Sequence, residues 1–319
     1  MSLLPPVYST LPAAAIASLV EAEYGLPSPR ADLLRRGFND SYQVTVGEER
    51  YVLRLYLHDK YYVQGPDDLR FELDLLDHLA AQGVGVATAL PRRGGDRLGS
   101  VQAAEGLRHF ALFHYAPGGH ATTLTEAQVR GLGAALAQIH LAAESFRTAY
   151  HRHRLDRSAL LDLPMQRMEP YLAGRPDDHQ YVQGVAARVG AVLDGLDAGP
   201  GLWGIIHGDP HSGNAHFVED RPVLFDFDTC GYGWRAYDLG IALRECEAAQ
   251  RPAFLEAYQS IRPLSAAERD ALPALLRARA IWDAGDIVTM TPVWGIAVAR
   301  SVVGRMIKDL RALDGEFPW

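Results

Sequence analysis

The sequence predicts an α+β fold, a small strand-rich first lobe followed by a larger helical second lobe. Three observations predict it. Between residues 33 and 114 apolar side chains mostly alternate, as on half-buried strands, with one stretch of helical spacing. Pro117, Gly118 and Gly119 then interrupt the periodicity. Beyond them helical spacing dominates, apart from one short motif region. A chain of 319 residues is long for a single core, so the boundary falls at that break, giving lobes 1–116 and 117–319.

The elements follow in order. Residues 12–24 read as a short amphipathic helix ending at Gly25. Residues 33–57 read as two strands joined at Gly47, Glu48 and Glu49; the second strand is Tyr51-Val52-Leu53-Arg54-Leu55-Tyr56. Residues 67–82 carry Leu69, Leu73, Leu76 and Leu79 at helical spacing and stop at Gly83. Residues 84–90, 97–103 and 108–114 read as further strands. In the second lobe a helix spans 125–145, with Thr125 as N-cap and Val129, Leu132, Leu136, Ile139 and His140 on one face. Further helices are expected at 160–171, 181–196, 236–250, 252–261, 266–289 and 292–313.

Composition narrows the function classes. The chain is 48% apolar and 22% charged, ordinary for a globular protein. A net charge of −8 argues against a nucleic-acid surface. Two cysteines, Cys230 and Cys246, are too few for a disulfide framework. No apolar run reaches membrane-span length, and residues 1–6 lack the basic and apolar regions of a leader. A cytoplasmic protein that binds neither nucleic acid nor membrane is the expectation, with oligomeric state open. Of 31 basic residues only Lys60 and Lys308 are lysines.

The motif region is Ile206-His207-Gly208-Asp209-Pro210-His211-Ser212-Gly213-Asn214, followed by Phe225-Asp226-Phe227-Asp228. It places an acid, an amide and a second acid on two short segments. Phosphoryl transfer to a hydroxyl needs such groups: one carboxylate orients the attacking hydroxyl, and an amide oxygen and another carboxylate hold Mg2+ on the phosphates. Gly208 and Gly213 permit a tight backbone path.

This order of parts resembles the aminoglycoside phosphotransferase family, together with the similar choline kinases, type II homoserine kinases and bacterial stress-response kinases. It implies a two-lobed, protein-kinase-like fold and ATP and Mg2+ as cofactors. By the resemblance Asp209 is the catalytic base, and Asn214 and Asp226 are the metal ligands. His207 and His211 brace the loop, Asp238 steadies it, and Asp228 is a structural or outer-shell acceptor. Residues 36–42 are similar to a phosphate-covering loop, from which Ser41 would touch phosphate. Arg54 stands on the strand where such kinases place Lys, and the scarcity of lysine leaves it as the cation for the phosphates, with Glu72 as its helix partner. Phe113-His114-Tyr115-Ala116 stands as the hinge, where Phe113 and Tyr115 would meet the adenine.

The expected partner is a small-molecule hydroxyl acceptor, homoserine-, choline- or aminoglycoside-like. Trp282, Asp283 and Asp286 are candidates to meet it, the two aspartates near one helical face where they would suit an amine. Few acids are visible for a polycationic aminoglycoside, so a metabolite is preferred. Three alternatives stay open: a stress-response type protein kinase, a nucleotide-binding pseudokinase prompted by Arg54 in place of Lys, and a hydrolase with a metal cluster of His207, Asp209, His211, Asp226 and Asp228. The hydrolase reading leaves Asn214 without a role.

Overall fold

The computed structural model describes Leu4 and residues 6–57 and 60–319. Residues 1–3 and 5, read above for a leader, lie outside the described residues. The chain forms two compact units. The first comprises Met1–His120, Ser145–His153 and Ala215–Asp228; the second comprises Ala121–Glu144, Arg154–Asn214 and Thr229–Trp319.

In the first unit, helix α1 (Ala13–Tyr24) ends where Gly25 takes the left-handed φ of 72° and its N–H donates to the Glu21 carbonyl. Strands β1 (Arg30–Arg36), β2 (Asn39–Val46), β3 (Glu49–Tyr56), β4 (Gly99–Gln102) and β5 (Leu107–His114) form an antiparallel sheet in the order β1-β2-β3-β5-β4. One face carries Tyr42, Val44, Leu53 and Leu55, which pack with Ile16 and Val20 of α1. Period-two alternation puts Ser41 and its cross-strand partner Arg54 on the other face. Helix α2 (Pro66–Ala81) buries Phe71, Glu72, Leu75 and Leu79.

Two expectations in this unit need correction. The strand expected ahead of Gly47 is two strands, β1 and β2, turning at Gly37 and Phe38 so that Arg36 pairs with Asp40. Edge strand β1 is nearly all exposed, so it offers no alternation by which to place the turn. Residues 84–90 are not a strand; they make only isolated bridges, Val86 to Leu224 and Ala89 to Phe113. The segment crosses its neighbours instead of running along one. Ala87 N–H donates to Leu224 and Leu90 N–H to Leu112, while the Thr88 carbonyl accepts from His114. A hairpin of β8 (Ala215–Val218) and β9 (Arg221–Leu224) completes the unit, bridged to Gly119 at Phe217.

The second unit opens with α3 (Glu126–Ala142), whose Thr125 forms a capping box with Gln128. Helices α4 (Leu163–Leu172), α5 (Pro176–Gly195), α6 (Arg235–Arg244), α7 (Arg251–Gln259) and α8 (Ala266–Thr289) follow. Helix α6 stops short of the expected residue 250. Glu245 and Cys246 turn back with i→i−3 bonds to Ala242 and Leu243. The helix expected at 292–313 is split by Gly295 (φ 84°) into α9 (Thr291–Trp294) and α10 (Ile296–Glu316). A small sheet joins β6 (Arg154–Leu155), β7 (Trp203–Ile206) and β10 (Gly231–Trp234) in the order β6-β10-β7. Among the described residues no helix is long and apolar enough to cross a membrane.

Candidate active site

In the first unit Arg54 is buried on β3 and reaches two carboxylates. Its Nη1 lies 2.6 Å from Glu72 Oε1 and its Nη2 lies 3.0 Å from Asp226 Oδ1. Burial works against the guanidinium's charge, but Glu72 and then Asp226 more than offset it and hold Arg54 protonated. Glu72 is fully enclosed, and Tyr56 Oη donates to its other oxygen at 3.4 Å. Asp226 stands just past β9 in the left-handed region at φ 64° and keeps 38% of its side chain exposed. A non-glycine residue at that φ is uncommon and aims its carboxylate away from the strand line.

Asp228 is engaged differently. Its Oδ2 accepts from Lys60 Nζ at 2.6 Å, Tyr62 Oη at 3.0 Å and Asn39 Nδ2 at 3.1 Å. Arg152 donates to its backbone carbonyl. Burial alone would raise this carboxyl; Lys60 and then Arg54 overturn that and hold it far below the usual range. Lys60 is thus the buried counter-charge of Asp228.

The expected phosphate loop divides its roles. Asn39 holds Asp228, Asp40 is buried against Arg108 Nη1 at 3.2 Å, and half-buried Ser41 shares the Arg54 face of the sheet. At the hinge, the Phe113 ring is buried 4.8 Å from the Arg54 guanidinium carbon, so Phe113 supports the cation. Half-buried Tyr115 stacks under Arg50 at 4.0 Å. His216 Nδ1 donates to the Ala116 carbonyl at 2.7 Å.

In the second unit the loop after β7 is fastened by Asp238 of α6. The N–H groups of His207 and Gly208 donate to its two oxygens at 2.8 and 2.9 Å. Asp238 Oδ2 also accepts from His140 Nε2 at 3.1 Å, and Tyr258 Oη donates to His140 Nδ1 at 2.8 Å. Burial lowers the His140 value and keeps the ring neutral, which fixes those donor and acceptor sides. Gly208 takes φ 84°, and a Cβ there would stand 2.5 Å from the Thr229 carbonyl oxygen.

Both oxygens of Asp209 are held. Oδ1 accepts from Arg279 Nη2 at 2.7 Å; Oδ2 accepts from Asn214 Nδ2 at 3.1 Å and lies 3.5 Å from His211 Nε2. Burial would raise this carboxyl, but Arg279, then His211 and His207, hold it far below the usual range. Asn214 Nδ2 also donates to the Asp209 carbonyl at 3.0 Å, which leaves Oδ1 as the accepting side of that amide. Asn214 and Asp226 therefore each offer the hard oxygen donor that Mg2+ takes. Among the described residues no three His, Cys, Asp or Glu side chains gather into a metal cluster.

Of the acceptor candidates on α8, Trp282 and Asp286 are buried, while Asp283 keeps 41% of its side chain exposed and binds Arg279 Nε at 2.8 Å. Arg279 is the site residue that the sequence reading missed. Its i,i+4 spacing to Asp283 was the available signal.

The fold is α+β, two-lobed and protein-kinase-like. The chain belongs to the phosphotransferase enzyme family, whose model matches residues 33–274. It is a small-molecule kinase. An uncharacterized protein of Deinococcus radiodurans is 41% identical over 292 residues, 88% of this chain and 83% of its own length. A homoserine kinase of Azorhizobium caulinodans is 32% identical over 231 residues, 68% of this chain and 67% of its own. The solved structure of a microcompartment-associated aminopropanol kinase aligns with a TM-score of 0.71 and 25% identity, covering 94% of this chain and 99% of that one.

Proposed function

We propose that this kinase uses ATP and Mg2+ to phosphorylate the hydroxyl of a small amine-bearing acceptor of the homoserine or aminopropanol kind. The single observation that carries the reading is Arg54, a buried cation bound at once to Glu72 and Asp226. A fixed guanidinium braced by a helix acid meets phosphate bidentately, as a lysine would meet it with a point charge. The homoserine kinase and aminopropanol kinase relatives support the acceptor class, and the half-buried Asp283 carboxylate, paired with Arg279, is suited to an ammonium group.

The acceptor oxygen would bond to the γ-phosphorus as the bond from that phosphorus to the ADP oxygen breaks. ADP leaves, and the hydroxyl proton passes to Asp209. A carboxylate held so far below its usual range is a weak base, so Asp209 mainly orients the hydroxyl and takes its proton late, in keeping with a loose transition state. When bound, Mg2+ neutralises phosphate charge, with Asn214 Oδ1 and the Asp226 carboxylate as its protein donors. Ser41, Phe113 and Tyr115 belong to the nucleotide side of this assignment. The same proposal gives residues 1–116 to the nucleotide and 117–319 to the acceptor, with Asp226 contributing to the nucleotide side, in the cytoplasm.

The test is coupled ADP release with MgATP against homoserine, aminopropanol, choline, ethanolamine, sugars and aminoglycosides, with a generic protein substrate alongside. Turnover with an amino alcohol or hydroxy amino acid is expected. Turnover with the protein substrate alone would overturn the acceptor class.

A further inference from the structure

Arg279 belongs to α8, and its partners on the loop lie 71 and 70 residues earlier in the chain. Three of its nitrogens are committed. Nη1 donates to the Gly208 carbonyl at 2.8 Å, Nη2 to Asp209 Oδ1 at 2.7 Å, and Nε to Asp283 Oδ2 at 2.8 Å. One rigid fork thus holds the backbone just before Asp209 and the Asp209 carboxylate together, and Asp283 sets the direction of the fork.

We infer that Arg279 is the positioning residue of the reaction, fixing the Asp209 carboxylate against α8, with Asp283 holding the guanidinium in register. The inference rests on the proposed role of Asp209. Gly208 at φ 84° has its N–H tied to Asp238 and its carbonyl tied to Arg279, so the peptide leading into Asp209 is pinned from two sides. With Asn214 on Oδ2, the carboxylate loses the rotations by which it would drift from the hydroxyl. A carboxylate misplaced by about 1 Å loses on the order of a hundredfold in rate. Lysine cannot replace the fork, because a single ammonium reaches the carboxylate or the carbonyl but does not span both planes.

A merely structural arginine and a positioning one differ in how their losses combine. Steady-state ADP release is measured with MgATP and L-homoserine, and with water alone as acceptor, alongside binding of a fluorescent ATP analogue and thermal unfolding. Asp209→Asn comes first; a wild-type rate there would sink the underlying assignment of the base, a separate failure from that of Arg279. Arg279→Met is expected to lower kcat about a hundredfold, with nucleotide affinity within about threefold of wild type and partial recovery in Arg279→Lys. In the Asp209→Asn background the same change should cost less than about threefold more, because residues acting through one group are not additive. Asp283→Asn keeps the arginine and its bonding partner, so it reports if Arg279→Met does not fold. It should lower kcat about tenfold and likewise add little to Asp209→Asn. Full additivity with Asp209→Asn, or a loss confined to nucleotide affinity, would overturn the inference.

Discussion

Arg54→Met isolates the cation on which the nucleotide assignment depends. In the wild type the guanidinium lies 2.6 Å from the enclosed Glu72 carboxylate and 3.0 Å from Asp226. Methionine fills much of the same volume but leaves Glu72 as a buried charge whose remaining hydrogen bond, from Tyr56 Oη, is a long 3.4 Å. Breaking a buried pair from one side costs about 3–5 kcal/mol. Asp226 adds little, because water reaches it. The lost contact with the Phe113 ring adds about 0.5–1 kcal/mol. At about 2–4 °C per kcal/mol, the combined loss of about 3.5–6 kcal/mol should lower Tm by about 7–24 °C. Pairing it with Glu72→Leu removes the stranded charge, so most of the lost stability should return. Nucleotide affinity should not return, because the cation held between Glu72 and Asp226 is gone. Thermal unfolding at pH 7 and titration with a fluorescent ATP analogue read the two effects separately. A single variant within about 2 °C of wild type, or a double variant no more stable than the single, would refute the energetics argued for this pair.

Three further outcomes are expected. Gly208→Ala forces a Cβ against the Thr229 carbonyl at a left-handed φ, so kcat should fall at least tenfold, by about 1.4 kcal/mol or more of barrier, while the helical circular dichroism is retained; an unchanged kcat contradicts this. Lys60→Met strands the buried Asp228, though Tyr62 and Asn39 still donate to it, so urea unfolding should show a loss of about 2–4 kcal/mol. The depressed value of His140 makes the unfolded chain the better proton binder as pH drops. Its contribution is therefore complete above the ordinary histidine value of about 6.5 and is lost as pH falls through the folded value, so the Tm gap between wild type and His140→Gln should narrow from pH 7.5 to 5.5.

Local signals carried the elements whose causes are local. Thr125 announces the start of α3, Gly25 stops α1, and the 266–289 periodicity matches α8 end for end. The loop from His207 to Asn214 is legible because its residue types are spaced within one turn of chain. Partnerships set by tertiary packing were not legible. Lys60 finds Asp228 across 168 residues, and Arg279 finds Asp209 across 70. Residues 84–90 alternate like a strand yet spend their backbone bonds on two different neighbours, a choice that periodicity cannot encode. On α8 the apolar-versus-acidic pattern pointed to Asp286 as readily as to Asp283, and only burial separates them.

The central claim is that Asp209 directs the terminal phosphate of ATP onto an acceptor hydroxyl. It is tested most directly by mass spectrometry of the acceptor pool after incubation with MgATP and either wild type or Asp209→Asn. The account predicts an O-phosphorylated acceptor with wild type and a yield lower by a factor of about a thousand with Asp209→Asn, with nucleotide binding retained in both. Equal yields from the two proteins would contradict it.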